Sequence, residues 1–559
     1  MADSPLELVP MQPVDVQDET DKAMDRTANE MMVTPKGERG FIFWMIFAST
    51  LLVEMLSALD LTAVSTALPT IVERLHGSDF IWAGGAYTIA STAVLPLVGG
   101  LVSGFGRKWV LIGFVFCFAV GSVFCGTARS MKMLIVGRAI QGLGSGGSLS
   151  CTEIIFADMV PLPERGKFQG IGAAVWALAC AVGPPIGGAL AGSGAWRWLF
   201  YMNLPLCALA AIAICMFLRN VVPEGGVIDK INDMDWPGNC IIITSTVLVF
   251  LGLTWGGLRF SWTAPQVLVP IILGAIGIVV FFVAEKVWLH GRTVPAFLFT
   301  NRTTLSGYLG TFFHGVVSLT AIYYLPVYLQ ASKDASALHS GIDMFGLSFS
   351  IPLFAIFTGV SIEVFNIYRP QNYIGWICTL VGFVLLSLLT PKSGPAEYIG
   401  FQIPLGVGVG ILWLGTQYPV LAPLPVSDNA YALAFFVFVR NFAQSWGIVV
   451  GGAILQNVLT QKLPTSLTSK LPKGRDYAYQ LIPNIRDMHE PQKTEVRVAF
   501  SQGTQLIWRV MIGLSAAGLL TCLLMREEEM KTEVDETWAV TEQKKGKKDA
   551  EDVHEHAVV

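Results

Sequence analysis

The sequence predicts an all-α protein that crosses a lipid bilayer many times. Of its 559 residues, 53% are hydrophobic and only 14% are charged, and the mean hydropathy is +0.56. One soluble core cannot bury this much apolar surface, so lipid is the expected solvent. The apolar residues also form runs of about twenty, the length that a helix needs to cross a hydrocarbon core roughly 30 Å thick. Strands of a membrane β-barrel would be only about ten residues long.

Polar or Gly/Pro-rich breaks separate about fourteen such runs. An even number of spans places both termini on one side of the membrane, and the lysines and arginines of the short loops place that side in the cytosol. The pair of spans within 237–288 is the least distinct, because the turn between them is short. The predicted spans are 41–63, 81–103, 108–127, 133–157, 168–191, 198–218, 237–257, 267–288, 303–329, 339–360, 372–390, 398–423, 431–458 and 505–525.

Three polar segments flank or interrupt these spans. The tails 1–40 and 526–559 are predicted to be disordered and cytosolic. The loop 461–501 contains four prolines and would lie outside, either as a lid over an outer vestibule or as a tolerated insertion. The net charge of −4, without a basic tract inside the apolar body, gives no support for nucleic-acid binding.

The first span carries two carboxylates, Glu54 and Asp60. A charge at the bilayer centre is costly, so each is a functional candidate by default. Six residues turn a helix so that the two side chains point about 120° apart, which disfavours a paired-carboxylate active site. Asp60 either takes up and releases a proton or holds neighbouring helices together through hydrogen bonds.

A glycine-rich turn follows the second span and ends in two cations. It contains Gly99, Gly106, Arg107 and Lys108. Glycines permit positive φ in a tight link between helices, and cations interact favourably with the last carbonyls of a helix. The segment lacks P-loop spacing and a preceding strand, so it is not predicted to bind phosphate.

The fourth span places Arg138 and Gln141, followed by Gly142, on its first turns. Residues at i and i+3 share one helix face, and a buried arginine must find a carboxylate, a carbonyl or water inside the bundle.

The fifth span contains small residues and prolines at every turn, in Gly183, Pro184, Gly187 and Gly188. Such a segment permits close helix packing and bending, so it serves either a gate or plain packing.

Together these motifs resemble the major facilitator superfamily, and within it the fourteen-helix drug:H⁺ antiporters, particularly fungal efflux pumps. The segment 59–69 (LDLTAVSTALP) is similar to that group's first-helix signature, and 99–108 (GGLVSGFGRK) to the superfamily's loop motif. The segment 138–144 (RAIQGLG) resembles the fourth-helix motif, whose arginine is implicated in proton coupling. The segment 183–188 (GPPIGG) resembles the fifth-helix signature of antiporters, and WRWLFYMNLP follows it at 196–205.

The likeness is close over the first six spans and thinner afterwards, where it includes Arg440 and Asn441 in the thirteenth span. One departure is that Ser103 stands where the loop motif usually has an acid, followed by Gly104 instead of a basic residue. That acid normally helps to latch the two halves on the cytosolic face, so its role is not carried over to this chain.

The resemblance implies two six-helix bundles, 41–218 and 303–525, with two inserted linker helices at 237–288 and a substrate site at mid-membrane. It implies alternating access without a cofactor or metal, in a monomer of the plasma membrane or, alternatively, the vacuole. Protons from outside would protonate Asp60 or Glu54 beside Arg138, while a hydrophobic substrate leaves. Intramembrane aromatic or amphipathic side chains are candidates for the cavity wall, with lipid contact or packing as the alternative: Trp82, Tyr87, Trp176, Tyr323, Gln417, Tyr418 and Arg440.

Other functions remain as alternatives. Proton-driven transport of basic amino acids or another small metabolite would need a strongly acidic cavity, and beyond the first span only Glu153 is a comparable buried acid. A membrane receptor would more naturally carry a large soluble domain. An intramembrane enzyme would need a metal cluster or a Ser/His pair, and His314 has no such partner in the sequence pattern. We therefore expect a transporter and no catalytic residues.

Overall fold

The computed structural model describes most of the apolar body of the chain. Its described residues are 39–75, 80–219, 226–256, 260–287, 294, 296–335, 337–464, 467 and 481–530. The chain divides into a short N-terminal unit, Met1–Trp44, and one large unit, Met45–Val559. Most of the two predicted tails, 1–38 and 531–559, lies outside the described residues, as do 465–466 and 468–480 of the predicted loop.

The described residues are almost entirely helical, apart from an isolated bridge between Gly256 and Phe260. The α-helices are α1 (Phe41–Arg74), α2 (Phe80–Phe105), α3 (Arg107–Gly126), α4 (Met131–Met159), α5 (Leu162–Gly192), α6 (Trp198–Tyr201), α7 (Asn203–Phe217), α8 (Val227–Asp233), α9 (Trp236–Trp255), α10 (Pro265–Val287), α11 (Arg302–Lys333), α12 (Ala337–Asp343), α13 (Phe345–Phe365), α14 (Arg369–Leu386), α15 (Pro395–Gly400), α16 (Gln402–Gly415), α17 (Tyr418–Leu421), α18 (Asn429–Lys462) and α19 (Gln492–Thr521).

Every predicted span overlaps one of these helices or a short series of them. In the described part of the chain, eleven helices are long and apolar enough to cross a membrane. The predicted spans on α4, α5 and α14 are not among the eleven. On α4, buried polar residues such as Arg138 and Gln141 explain the difference, because they lower the mean hydropathy of a helix that packs inside the protein. The count of fourteen fits the structure and stays a prediction.

The last helix begins earlier than predicted, at Gln492 instead of residue 505. Its first turns are polar and escape a hydropathy search, but they are tied to the protein. Arg497 donates from Nε to the carbonyl of Ser332 over 2.9 Å. Just before the helix, Glu490 accepts hydrogen bonds from Thr494, which lower the pKa of Glu490 below its ordinary value. The connection between α18 and α19 is therefore shorter than the loop predicted at 461–501.

Glycines bring the backbone of α4 against α2 and α3. A Cβ on Gly142 would lie 2.2 Å from the carbonyl oxygen of Tyr87, and one on Gly146 would lie 2.1 Å from that of Ser91. A Cβ on Gly144 would lie 2.4 Å from the backbone nitrogen of Phe118. Side chains essentially never approach so closely, so only glycine fits at these crossings.

We expect Gly146→Val to reduce the yield of folded protein, because the new side chain collides with the α2 backbone. Overpacking a well-packed interior typically costs about 1–3 kcal/mol. Detergent-solubilised protein would be followed by fluorescence-detected gel filtration and thermal unfolding. Gly113→Val on α3 is the matched control, since nothing lies within 4 Å of a Cβ there. Equal melting curves for the two variants would contradict the prediction.

Helices α1–α7 and α11–α19, here the N-terminal and C-terminal helices, meet closely near the end where Gly106 joins α2 to α3. A Cβ on Gly166 of α5 would lie 2.3 Å from the Cα of Gly359 on α13. At Gly99 on α2, a Cβ would lie 3.4 Å from the side chain of Ala434 on α18. We call this end of the helices the Gly106 end. The N-terminal and C-terminal helices are in contact at both crossings, so the Gly106 end is closed there.

Candidate functional site

A buried polar network surrounds Asp60 on α1. Its carboxylate forms an ion pair with Arg138 of α4, and both side chains are almost fully buried. Gln141, one turn further along α4, accepts from Arg138 Nη1 over 2.8 Å and donates to Asp60 Oδ1 over 2.7 Å. Two predicted residues of the fourth span are thus brought directly onto the predicted carboxylate of the first.

Two further side chains complete this Asp60 network. Asn203, the first residue of α7, donates from Nδ2 to Asp60 Oδ1 over 2.9 Å. Ser122 of α3 accepts from Gln141 over 3.0 Å and from Asn203 over 3.4 Å. The carboxylate therefore accepts from an arginine and two amides, which is how a charge is held in a membrane interior. A change in the charge of Asp60 would therefore alter contacts between four helices, α1, α3, α4 and α7.

Tyr87 of α2 borders the same network. The guanidinium of Arg138 lies 4.3 Å from the centre of its ring, and its hydroxyl donates to Ser145 Oγ over 2.7 Å. The aromatic face offers Arg138 a second favourable contact besides Asp60. Tyr87, predicted as a cavity wall residue, is buried and supports Arg138.

Glu54 belongs to a different polar cluster. Its Oε1 accepts from Thr152 on α4 over 3.4 Å, and it interacts electrostatically with the neighbouring Glu153. Glu153 accepts from Gln169 of α5 over 2.6 Å. Glu54 and Asp60 thus contact separate sets of residues. Glu153 follows Thr152, the residue that donates to Glu54, and brings a second carboxylate to this cluster.

Arg440 lies on α18 of the C-terminal helices, which packs against α4. Its guanidinium donates to the carbonyl of Trp413 over 2.8 Å and lies 4.7 Å from the centre of that indole ring. Glu153 attracts it electrostatically. His314 of α11 packs its ring 6.0 Å from Trp413, and its Nε2 lies 3.1 Å from the carbonyl of Val409. We call Glu54, Glu153, Gln169 and Arg440 the Glu153 cluster.

The glycine-rich turn contains an ion pair that joins its arginine to the end of α4. Arg107 Nε lies 2.8 Å from Asp158 Oδ2, and both are buried. Lys108 donates to the carbonyl of Cys215 on α7 over 2.7 Å. Gly106 has φ 80°, a conformation that L side chains rarely adopt. Arg107 therefore ties the turn to the end of α4, and Lys108 ties it to α7.

The antiporter-like segment of α5 packs on α1. A Cβ on Gly183 would lie 2.0 Å from Thr62 Oγ1, and one on Gly187 would lie 2.2 Å from the carbonyl of Ala63. Gly188 is exposed, and the side chain of Pro184 lies outside the described residues. The glycines are required for close contact of these two helices, whether or not the segment also bends.

The remaining predicted wall residues are dispersed. Trp82 packs edge to face on Trp255 at 6.2 Å, and Trp176 lies against a small cluster around Leu59. Tyr323 is 37% exposed. Gln417 and Tyr418 are buried, and a Cβ on Gly166 would lie 2.5 Å from the Tyr418 hydroxyl. A shared cavity for all of them stays a prediction.

Sequence reasoning missed several polar partners. Asn203 lies in a quoted motif, but nothing in its spacing assigned it to Asp60. Ser122 and Gln169 are uncharged, so a search for charged residues inside the spans does not find them. Asp158 is charged but lies one residue beyond the predicted span 133–157. A count of polar residues on the inward face of each helix would have singled them out. Within the described residues, no group of three or more His, Cys, Asp or Glu side chains is placed to hold a metal ion.

The fold and the buried polar network define a polytopic helical membrane protein. The sequence profile of the Major Facilitator Superfamily matches residues 50–452. The chain is 34% identical over 516 residues to the efflux pump FUS6 of Gibberella fujikuroi, covering 91% of this chain and 93% of FUS6. It is 33% identical to the MFS-type efflux pump LUC4 of a Fusarium species, covering 90% and 91%. The chain belongs to the Major Facilitator Superfamily.

Solved structures show the same fold at low sequence identity. The proton:xylose symporter XylE, bound to 6-bromo-6-deoxy-D-glucose, matches with a TM-score of 0.57 at 14% identity, covering 89% of this chain and 99% of XylE. The human organic anion transporter MFSD10 matches with a TM-score of 0.54 at 13% identity, covering 86% and 99%. The predicted all-α major facilitator fold is confirmed. The protein is a multi-pass membrane transporter and not an enzyme, as its family and relatives establish.

Proposed function

We propose that the protein exports small hydrophobic molecules, such as toxins or secondary metabolites, in exchange for protons by alternating access. The observation that carries this proposal is the buried ion pair between Asp60 and Arg138. A buried ion pair is a poor source of stability, because desolvation offsets the attraction. Ionisable groups inside a membrane helix are by default functional candidates, for instance in proton relays. Two relatives are named efflux pumps, which supports the outward direction.

Protonation is the step at which the Asp60 network would change. A proton on Asp60 removes the countercharge of Arg138, and the hydrogen bonds from Gln141 and Asn203 then meet a neutral carboxyl group. The guanidinium keeps its contact with Tyr87. Since these side chains belong to α1, α2, α4 and α7, a shift of Arg138 would be transmitted to the packing of the N-terminal helices.

We further propose two six-helix bundles, 41–218 and 303–525, linked by α9 and α10, in a monomer of the plasma membrane with both termini in the cytosol. The substrate would bind between the bundles, where Gln417, Tyr418 and Arg440 face the N-terminal helices. Under this topology the Gly106 end is cytosolic, so the closed Gly106 end corresponds to a transporter shut toward the cytosol.

A second candidate is a proton-coupled transporter of basic amino acids or another cationic metabolite. It is supported by the hydrogen bond from Thr152 to Glu54, because Glu153 is the residue after Thr152 and two carboxylates in one cluster attract a cation. Arg440 and Arg165 also interact with Glu153 and offset that charge. Export of hydrophobic molecules therefore remains the first proposal.

The experiment is transport of a panel of fluorescent hydrophobic dyes, antifungal compounds and radiolabelled lysine and arginine by cells that express the chain. We expect efflux of panel members that rises when the outside is made more acidic than the inside and stops when an ionophore dissipates ΔpH. An efflux rate that does not change with ΔpH would rule out proton antiport. Movement of the amino acids alone would favour the second candidate.

A further inference from the structure

The chain that follows α19 is bound to the C-terminal helices. After one short turn, residues 525–530 have no regular secondary structure. Met525 and Met530, at the two ends of this segment, are nevertheless buried. Between them, the backbone nitrogen of Arg526 donates to the hydroxyl of Thr303, at the start of α11, over 3.1 Å. We call residues 525–530 the clasp segment.

Glu527 of the clasp segment caps the start of α14. The first amides of a helix have no partner inside that helix, and the side chain of Tyr368, the N-cap residue of α14, does not accept a hydrogen bond from them. The carboxylate of Glu527 accepts instead from the backbone nitrogens of Tyr368 over 2.8 Å and of Arg369 over 3.3 Å. A negative charge is also favourable at the start of a helix. The cap of α14 therefore comes from a residue 159 positions further along the chain.

The side chain of Tyr368 connects the clasp segment to the interior of the protein. Its hydroxyl donates to the carbonyl of Arg526 over 2.9 Å and accepts from the backbone nitrogen of Glu528 over 3.0 Å. Its buried ring stacks on the ring of Tyr418, with 6.5 Å between the ring centres and 18° between the ring planes. The clasp segment thus fixes one end of the Tyr368 side chain, and the ring of the same side chain supports Tyr418.

Tyr418 contacts the N-terminal helices at the Gly106 end. A Cβ on Gly166 of α5 would lie 2.5 Å from the Tyr418 hydroxyl and 2.3 Å from the Cα of Gly359 on α13. The Tyr418 side chain therefore touches Tyr368 with its ring and α5 with its hydroxyl. A continuous series of contacts leads from the clasp segment to the crossing at which the two sets of helices meet.

We propose that Glu527 and Tyr368 are positioning residues for closure: the bound clasp segment holds Tyr418 against α5 and so favours the state closed at the Gly106 end. When the segment is released, α14 loses its cap and Tyr368 loses both hydrogen bonds of its hydroxyl. Tyr418 then packs on a neighbour that is free to move, and the crossing of α5 and α13 is less stable. The inference rests on the alternating access of the proposed function, but not on proton coupling or on the substrate.

The clasp segment would thereby control how often the transporter is open to the cytosol. Under the proposed topology, an exporter takes up its substrate at the Gly106 end. A bound clasp segment keeps this end closed for more of the time, and a released segment makes the substrate site available. Glu527 and Tyr368 act through Tyr418, and neither has to contact the substrate.

The test measures the distance between the two sets of helices at the Gly106 end, without substrate and at one pH. Spin labels are placed at Lys167→Cys on α5 and at Ser427→Cys, just before α18, both exposed positions outside the clasp segment. The full chain is purified into lipid nanodiscs, and the distance distribution is recorded by double electron–electron resonance. All other cysteines are replaced by serine except the buried Cys125, Cys151, Cys207 and Cys522.

Tyr368→Phe is the decisive variant, because it removes the hydroxyl that binds the clasp segment and keeps the ring that stacks on Tyr418. We expect the ratio of the longer to the shorter distance to rise roughly two- to tenfold, the range that corresponds to the net loss of one ordinary hydrogen bond. Glu527→Ala should raise the same ratio, because α14 loses its cap.

Two matched controls separate positioning from general stability. Tyr373→Phe, also on α14, removes a hydroxyl that donates to the carbonyl of Cys522 over 3.0 Å, before the clasp segment begins. It should lower the melting temperature about as much as Tyr368→Phe does and leave the distance ratio unchanged. Glu529→Gln removes a charge at an exposed position of the clasp segment, and its distance ratio should equal that of the unmodified chain.

An unchanged distance ratio in Tyr368→Phe would overturn the inference. An equal rise in Tyr373→Phe would overturn it as well, since any bond lost from α14 would then have the same effect. The distances require no export and no pH gradient, so they separate this inference from the proposed function. A chain that exports dyes with an unchanged ratio in Tyr368→Phe keeps the function and loses the inference. A raised ratio in that variant, without ΔpH-driven export by the unmodified chain, does the reverse.

Discussion

Asp60→Asn is expected to abolish ΔpH-driven efflux, because the substituted amide takes up no proton and leaves Arg138 buried without its countercharge. Removing one partner of a buried ion pair typically costs about 3–5 kcal/mol of stability. The variant should therefore also be less stable than the unmodified chain. Efflux normalised to the amount of protein at the cell surface, together with a melting curve of the purified chain, measures both effects.

A double variant separates coupling from stability. Asp60→Asn with Arg138→Gln removes both charges, so no buried ion is left unpaired, and its melting temperature should recover toward that of the unmodified chain. Its ΔpH-driven efflux should stay absent. Efflux at the unmodified rate in either variant would reject Asp60 as a proton carrier and would leave the network with a purely structural role.

Gly166→Leu is expected to stop transport while leaving the protein inserted in the membrane. A Cβ at this position would already lie 2.3 Å from Gly359 and 2.5 Å from the Tyr418 hydroxyl, so a leucine side chain keeps α5 and α13 apart. If transport alternates between two states, the state closed at the Gly106 end is lost and the other remains. We expect accessibility of a cysteine at this end to rise, measured by labelling with a membrane-impermeant maleimide in inverted vesicles.

The control for this substitution lies on the same helix. At Gly192, at the opposite end of α5, a Cβ would have nothing within 4 Å, so Gly192→Leu should transport normally. Normal efflux by Gly166→Leu would show that the close crossing of α5 and α13 is not needed in the cycle. Loss of efflux in both variants would indicate that replacing a glycine changes the helix propensity of α5, and that the crossing of α5 and α13 is not the cause.

Much of the fold was predictable because lipid imposes a simple rule on the sequence. Apolar runs of about twenty residues mark the helices, and no protein contact is needed to find them. The rule fails where helices are not in contact with lipid along their whole length. The polar start of α19, bonded through Arg497, extends beyond the predicted span for this reason.

The candidate site was only partly predictable. Asp60 and Arg138 are easily identified in the sequence, because charged residues are rare in apolar membrane spans. Which charge meets which depends on helix rotation and on neighbours that are distant in the sequence. Asp158 lies 51 residues from Arg107, and its pairing with the loop-motif arginine requires the side-by-side packing of α3 and α4. No local pattern contains that information.

The glycines of α4 also limit how the protein moves. Because the backbone of α4 touches α2 at Gly142 and Gly146 and α3 at Gly144, none of these three helices can slide or rotate against the others without a collision. Helices α2, α3 and α4 therefore move together as one rigid body. Any change of shape must be absorbed at crossings with looser contacts, such as Gly99 against Ala434, and mutations that alter turnover without altering stability should concentrate there.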